Sequence, residues 1–223
     1  MKKQLMNFLT GIGAGAAIGV GGFLYVLMIH FVGGDLGTVL GSILFAVGLF
    51  TVCTFYLSLY TGKIGIIFEG KQAKPYYFSL PIILIGNAIG AFGLGYICYF
   101  IFKDTNVMNT VVDRVCVPRT TLENFGNYLS LCVKSFLCGT CVYLAVKSFA
   151  LNRLKPVGIC LLVFFVFVFV FAGFQHCIAN MFYFGFGNHI NGYTFVNLVL
   201  CILFNSFGPI PGVLLFKLIS TKE

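Results

Sequence analysis

Apolar residues in this chain come in long unbroken blocks, not in the alternation of a half-buried strand or the one-sided stripe of a soluble helix. The blocks run near residues 7–32, 36–59, 76–102, 127–149, 156–175 and 193–218. Each holds about 20 mainly apolar residues, the length an α-helix needs to cross the hydrocarbon core of a bilayer. The pattern therefore predicts an all-α polytopic membrane protein with six transmembrane helices. The polar connections are too short to fold alone, so residues 1–223 read as one transmembrane domain in contact with membrane lipid. Two blocks lose their helical pattern and resume as shorter apolar pieces, 62–69 after Tyr60-Thr61-Gly62 and 177–186 after Gly173-Phe174-Gln175-His176. The second and fifth helices are predicted to be broken there.

These interruptions occupy corresponding places in two halves, about 7–103 and 126–219. The third block carries Asn87-Ala88-Ile89-Gly90 and the sixth Asn205-Ser206-Phe207-Gly208; the first carries Phe8-Leu9-x-Gly11 and the fourth Phe136-Leu137-x-Gly139. Three crossings per half would make the repeats inverted, and paired broken helices in inverted repeats point to a transport site near the bilayer midplane.

Composition removes the soluble alternatives. The chain is 59% hydrophobic and 9% charged with mean hydropathy +1.00, whereas soluble domains carry about 25% charge. The block from Phe8 to Phe31 follows Lys2 and Lys3 but is too long for a signal h-region and lacks a small-residue cleavage pattern, so it reads as a retained span. The net charge of +8 is scattered over span ends and forms no basic stripe, which argues against nucleic acid as a partner. Lys2, Lys3, Lys71, Lys74, Lys147, Arg153, Lys155, Lys217 and Lys222 fall on one side of a six-span topology; Lys103, Arg114 and Arg119 fall on the other, with Asp104, Asp113 and Glu123. The positive-inside rule then puts both termini in the cytoplasm.

Of nine cysteines, eight lie in apolar blocks and Cys116 lies in a polar loop. Cys138-x-x-Cys141 has no histidine or second pair at ligand spacing, so neither a metal nor a cofactor is expected and the cysteines read as small hydrophobes. The glycine run Gly11, Gly13, Gly15, Gly19, Gly21, Gly22 suits close helix packing in lipid. His30 and His189 sit at span ends, leaving His176 as the one deeply apolar histidine. A charged side chain at the bilayer centre costs about 2.5–3.5 kcal/mol or more, so an ionisable group there usually marks a solute or proton pathway. Asn87 and Asn205 read as structural; Asn180 and Asn197 suit either pore lining or interhelical bonding.

Ala172-Gly173-Phe174-Gln175-His176-Cys177-Ile178-Ala179-Asn180-Met181 resembles the G-F-[EQ]-H-x-x-A-N-M motif of the formate/nitrite transporter family, and Leu59-Tyr60-Thr61-Gly62 resembles its L-F-T-[GS] break. Gly86-Asn87-Ala88-Ile89-Gly90, the segment Lys134–Val146, Asn197-Leu198 and Phe204-Asn205 extend the likeness in order along nearly the whole chain. The resemblance implies an aquaporin-like six-span protomer of a bacterial cytoplasmic-membrane protein, assembled as a homopentamer with one pore per protomer. It implies that Thr61 faces His176 at the pore centre and that Phe45, Leu49, Leu59, Tyr60 and Phe169 form two hydrophobic constrictions. Gln175 stands where the family often has an acidic residue, Ser58 where a polar or acidic one precedes Leu59, and Gly139 where an asparagine is expected. The family's outer lysine at the start of the fourth span is replaced near its place by Glu123, with Lys134 deeper and, with Gln175, Asn180 and Asn197, a candidate for vestibule or polar lining.

An ionised carboxylate in a dry apolar ring nominally costs tens of kcal/mol, so a weak-acid anion would cross such constrictions by becoming neutral. Histidine is the side chain suited to share that proton near neutral pH. The expected activity is passage of small monovalent weak-acid anions, formate, nitrite or hydrosulfide, with no enzymatic role. The alternatives are a pore for a neutral solute such as water or ammonia, and a membrane redox enzyme using Cys138, Cys141 and His176, for which no nucleophile-base-orienter set or cofactor motif is present.

Overall fold

The structure, a computed structural model, describes residues 2–70, 77–152 and 154–220. Lys71, Lys74, Arg153 and Lys222, counted above for topology, lie outside these residues. The described residues are helical throughout with no strand, and the helices in order are α1 Lys2–Phe31, α2 Gly34–Leu44, α3 Ala46–Thr54, α4 Tyr60–Lys63, α5 Ile66–Glu69, α6 Ser79–Phe102, α7 Asn106–Asn109, α8 Val117–Thr120, α9 Phe125–Leu151, α10 Lys155–Phe171, α11 Cys177–Phe186, α12 Gly192–Phe207 and α13 Pro209–Ser220. Among the described residues five stretches are long and apolar enough to cross a membrane: α1, Gly34–Thr54, α6, α9 and Gly192–Ile219. The fifth predicted block and its continuation form the two shorter apolar helices α10 and α11, separated at the expected break before Cys177.

Helix α11 forms the centre of the molecule. All ten of its residues are buried, as expected of a helix that is apolar on every face. It packs on α6 and α1, while α9 packs on α10 and α12. Small residues permit these approaches: a Cβ on Gly15 or Gly90 would overlap the carbonyl oxygens of Asn87 and Ile12 across the α1–α6 contact.

The second block ends as a helix at Thr54, short of the expected boundary at 59, because the chain unwinds over residues 55–59. Irregular backbone at this depth must find partners in neighbouring helices. It does: Leu57 N–H donates to Val52 O, Ser58 N–H to Thr10 O and Tyr60 N–H to Asn87 Oδ1. The same set recurs at the second break, where Phe174 N–H donates to Phe169 O, Gln175 N–H to Lys134 O and Cys177 N–H to Asn205 Oδ1. The two asparagines also donate in parallel, Asn87 Nδ2 to Gly11 O and Ser58 O, and Asn205 Nδ2 to Ser135 O and Gln175 O. Gly139 and Gly208 meet Asn205 O and Phe136 O as Gly15 and Gly90 meet Asn87 O and Ile12 O. These contacts correct the register read from sequence between the first and fourth blocks: the partner of Gly139 is Gly15, one helical turn beyond Gly11.

The 103–124 connection is ordered rather than a polar loop. Helices α7 and α8 flank a π-helical turn, Thr110–Cys116, whose Val111, Val115 and Cys116 are buried. Cys116 is fully buried with its Sγ donating to Tyr183 O at 3.2 Å, correcting the expectation of a loop cysteine. His30 Nδ1 pairs with Thr110 Oγ1 at 2.8 Å and His189 Nε2 with Thr120 Oγ1 at 3.0 Å, so the two span-end histidines tie this segment to the bundle.

Candidate functional site

The two breaks bring Thr61 and His176 together. Leu59 is the extended N-cap of α4, which turns Thr61 inward; His176 is the extended N-cap of α11, placed there by Gly173 in the left-handed region at φ 68°. Both side chains are buried, and Thr61 Oγ1 lies 2.9 Å from His176 Nε2. His176 Nδ1 accepts a hydrogen bond from Ala179 N–H at 3.1 Å, capping α11. A ring nitrogen that accepts carries no proton, so in the neutral imidazole the proton is on Nε2 and is donated to Thr61 Oγ1. That leaves the Thr61 hydroxyl proton without an acceptor among the described residues.

Two cavities that share no lining residue lie near this pair: His176 is in the wall of the first, and Leu59 and Gly62, which flank Tyr60-Thr61, are in the wall of the second. The first, about 230 Å³, is lined by Phe45, Phe169 and His176 together with Arg114, Arg119 and Lys134. The second, about 360 Å³, ends at Leu57, Leu59 and Gly62 with Lys63 and Lys155 in its wall. Phe45 and Phe169 pack edge to face at 5.7 Å, and Phe169 stacks on the His176 ring at 5.9 Å. Leu59 is buried and lines the second cavity. Leu49 is buried and Tyr60 bonds Ser206 Oγ through its hydroxyl at 2.8 Å; neither is in the wall of these two cavities.

The polar candidates divide by role. Asn180 Nδ2 donates to Gln175 Oε1 at 2.8 Å and to Asn197 Oδ1 at 2.9 Å, and its Oδ1 accepts from Arg119 Nε at 3.1 Å. Asn197 Nδ2 donates to Arg119 O at 2.9 Å. Gln175 and Lys134 both line the first cavity and a side pocket of about 110 Å³, which Asn197 also lines. Sequence reasoning treated Arg114 and Arg119 as topological charges and missed their place in the cavity wall. The signal was the i, i+4 spacing of Val107, Val111 and Val115, which marks the connection as a helix with a buried face. Among the described residues no cluster of histidine, cysteine or carboxylate groups could hold a metal.

The fold is shared with solved channels. A pentameric formate channel with formate bound superposes with TM-score 0.80 at 21% identity, covering 100% of this chain and 99% of that one. A structure described as an FNT family ion channel gives TM-score 0.81 at 20% identity over 97% of this chain and 90% of that one. No curated protein matches the sequence significantly. The sequence model of the formate/nitrite transporter family matches residues 2–220, and the chain therefore belongs to that family.

Proposed function

We propose that this chain forms a pore for small monovalent anions of weak acids, formate, nitrite or hydrosulfide, in which the guest becomes neutral at His176 between two hydrophobic barriers. The 2.9 Å contact of His176 with Thr61, lying between two cavities that share no lining residue, carries this reading. Phe45 and Phe169 on one side and Leu59 on the other would strip water from an ion, with Leu49 and Tyr60 shaping the wall behind them. Stripping a bare carboxylate nominally costs tens of kcal/mol, so charge has to be removed before passage.

The proton chemistry follows from the ring's hydrogen bonds. With Nε2 already protonated, a further proton adds at Nδ1, and the bond from Ala179 N–H is then lost. Losing an N-cap costs about 0.5–2 kcal/mol, small beside the cost of a dry unpaired anion. A proton taken from water at Nδ1 and the Nε2 proton passed to the anion through the Thr61 hydroxyl balance: the guest becomes its uncharged acid, the ring is left as the neutral Nδ1–H tautomer, and return of that proton to Nε2 through water restores the Ala179 cap.

The repeated hydrogen bonds around Asn87 and Asn205 support two inverted repeats, about 7–103 and 126–219, with α10 and α11 together making a sixth crossing. The likeness to a pentameric formate channel supports a homopentamer. A bacterial cytoplasmic membrane with both termini inside agrees with the family and with the bias of lysine and arginine. The test is anion-resolved flux into proteoliposomes over a pH series with wild type, His176→Asn and Thr61→Ala. His176→Asn should lower flux about a hundredfold, the low end for loss of a positioned proton donor, and both variants should flatten the pH response. Equal flux and pH response in all three proteins overturns the reading; water or ammonia flux without anion flux replaces it by a neutral-solute pore.

A further inference from the structure

We propose that the arginine-lined cavity is a binding subsite for a planar two-oxygen monoanion, a carboxylate or nitrite, held by Arg119 and Gln175, and that it favours such ions over hydrosulfide. The inference rests on the pore reading only for the onward path to His176; binding itself does not depend on it.

The orientation of one amide decides what the cavity offers. Asn180 Oδ1 is held by Arg119 Nε at 3.1 Å, which turns Asn180 Nδ2 toward Gln175 Oε1 and Asn197 Oδ1. With its oxygen consumed, Gln175 keeps both Nε2 protons without an acceptor among the described residues, although its side chain is only 9% exposed. Gln175 lines the cavity, so these donors serve it. Arg119 is fixed in turn: Nη1 donates to Val115 O at 2.7 Å and the guanidinium lies 4.8 Å over the Tyr183 ring. Nη2 and the second proton of Nη1 remain uncommitted. Lys134 also lines the cavity, and its ammonium makes no hydrogen bond or ion pair among the described residues. Among the described residues no aspartate or glutamate is in the wall.

Uncommitted side-chain donors and unbalanced positive charge select an anion, and about 230 Å³ holds formate or nitrite with several waters, each needing about 30 Å³. The geometry then selects among anions. A guanidinium edge matches two oxygens in one plane, and such paired charge-assisted bonds are directional. Hydrosulfide presents a single sulfur and gains nothing from a second aligned donor.

Detergent-purified protein titrated with [13C]formate, followed by saturation-transfer NMR with hydrosulfide as competitor, tests the subsite; flux is measured on the same preparations. Arg119→Lys keeps the charge and loses the fork, so formate binding should weaken about tenfold, as for one charge-assisted hydrogen bond, while hydrosulfide competition changes less than about twofold. Gln175→Glu keeps the oxygen that Asn180 needs but removes the donors, and should weaken both anions. Binding that behaves this way in a protein without flux upholds the subsite and removes the pore reading. Normal flux with equal effects of Arg119→Lys on both anions, or undiminished formate binding in Gln175→Glu, overturns the subsite and leaves the pore intact.

Discussion

Both ring nitrogens of His176 are committed, and only one arrangement of protons satisfies them. Ala179 N–H occupies Nδ1 and Thr61 Oγ1 takes the Nε2 proton. Labelled protein should therefore show a 15N shift for Nδ1 in the unprotonated range and for Nε2 in the protonated range, and Thr61→Val should broaden the Nε2 signal without moving the proton to Nδ1. A protonated Nδ1 in the resting protein would remove the capping role. Cys116 gives a second residue-scale outcome. Burial pushes its thiol up to about 12, partly offset by the charge of Arg119. A thiol raised this far above its unfolded value favours folding fully below about pH 8.5 and loses that contribution as pH rises toward 12. At pH 7.5 its thiolate fraction is about one in 10⁴ or less, so peptide mapping after maleimide treatment should find Cys116 unmodified until the protein is denatured.

The breaks show what an element can and cannot reveal beforehand. Tyr56 and Gly173 occupy equivalent positions in the two unwound segments, and both have positive φ, 54° and 68°. Glycine takes that region freely, whereas an L side chain costs roughly 1–2 kcal/mol there. Tyr56 is 88% exposed, so its ring contributes little packing within the chain. Tyr56→Gly should therefore raise thermal stability in detergent by about 1 kcal/mol, and Gly173→Ala should lower it by a similar amount although its Cβ would meet nothing within 4 Å. Opposite signs in the two variants test the equivalence; a loss in both would reject it. That the two blocks break was legible because polar residues interrupt them near Thr61 and His176, but the first break lies earlier than the sequence placed it, at 55–59, with Thr61 already in α4. The hydrogen bonding of the breaks was not legible, since Asn87 reaches Tyr60 N–H and Asn205 reaches Cys177 N–H across the bundle, and a distant asparagine looks the same in sequence whether it faces a helix or a pore. The one-turn error in pairing Gly11 with Gly139 arose because glycine-rich helices offer several near-equal registers, and only the overlap of Gly15 with Asn87 O decides among them. The 103–124 segment misled for another reason. Its charged residues hide the buried valines when hydropathy is averaged over a window, so Arg114 and Arg119 read as loop charges.

At the scale of the whole molecule, everything proposed for passage lies within one chain. Both cavities, the Phe45–Phe169 barrier and the Thr61–His176 pair are built from residues of a single protomer. The surface, by contrast, carries apolar ridges such as Phe125, Leu129, Val133 and Leu137 on α9 and Phe195, Val199, Leu203 and Phe207 on α12. Side chains at this spacing lie on one helix face and must meet lipid or a neighbouring copy. Association would then stabilise the protomers without completing their pores. Native mass spectrometry should find five copies of the 24.5 kDa chain. Co-assembly of wild type with His176→Asn should lower anion flux in direct proportion to the variant fraction, because each wild-type pore keeps its own imidazole. A fall steeper than linear, measured at fixed total protein per vesicle, would mean that neighbouring copies share the barrier or open together.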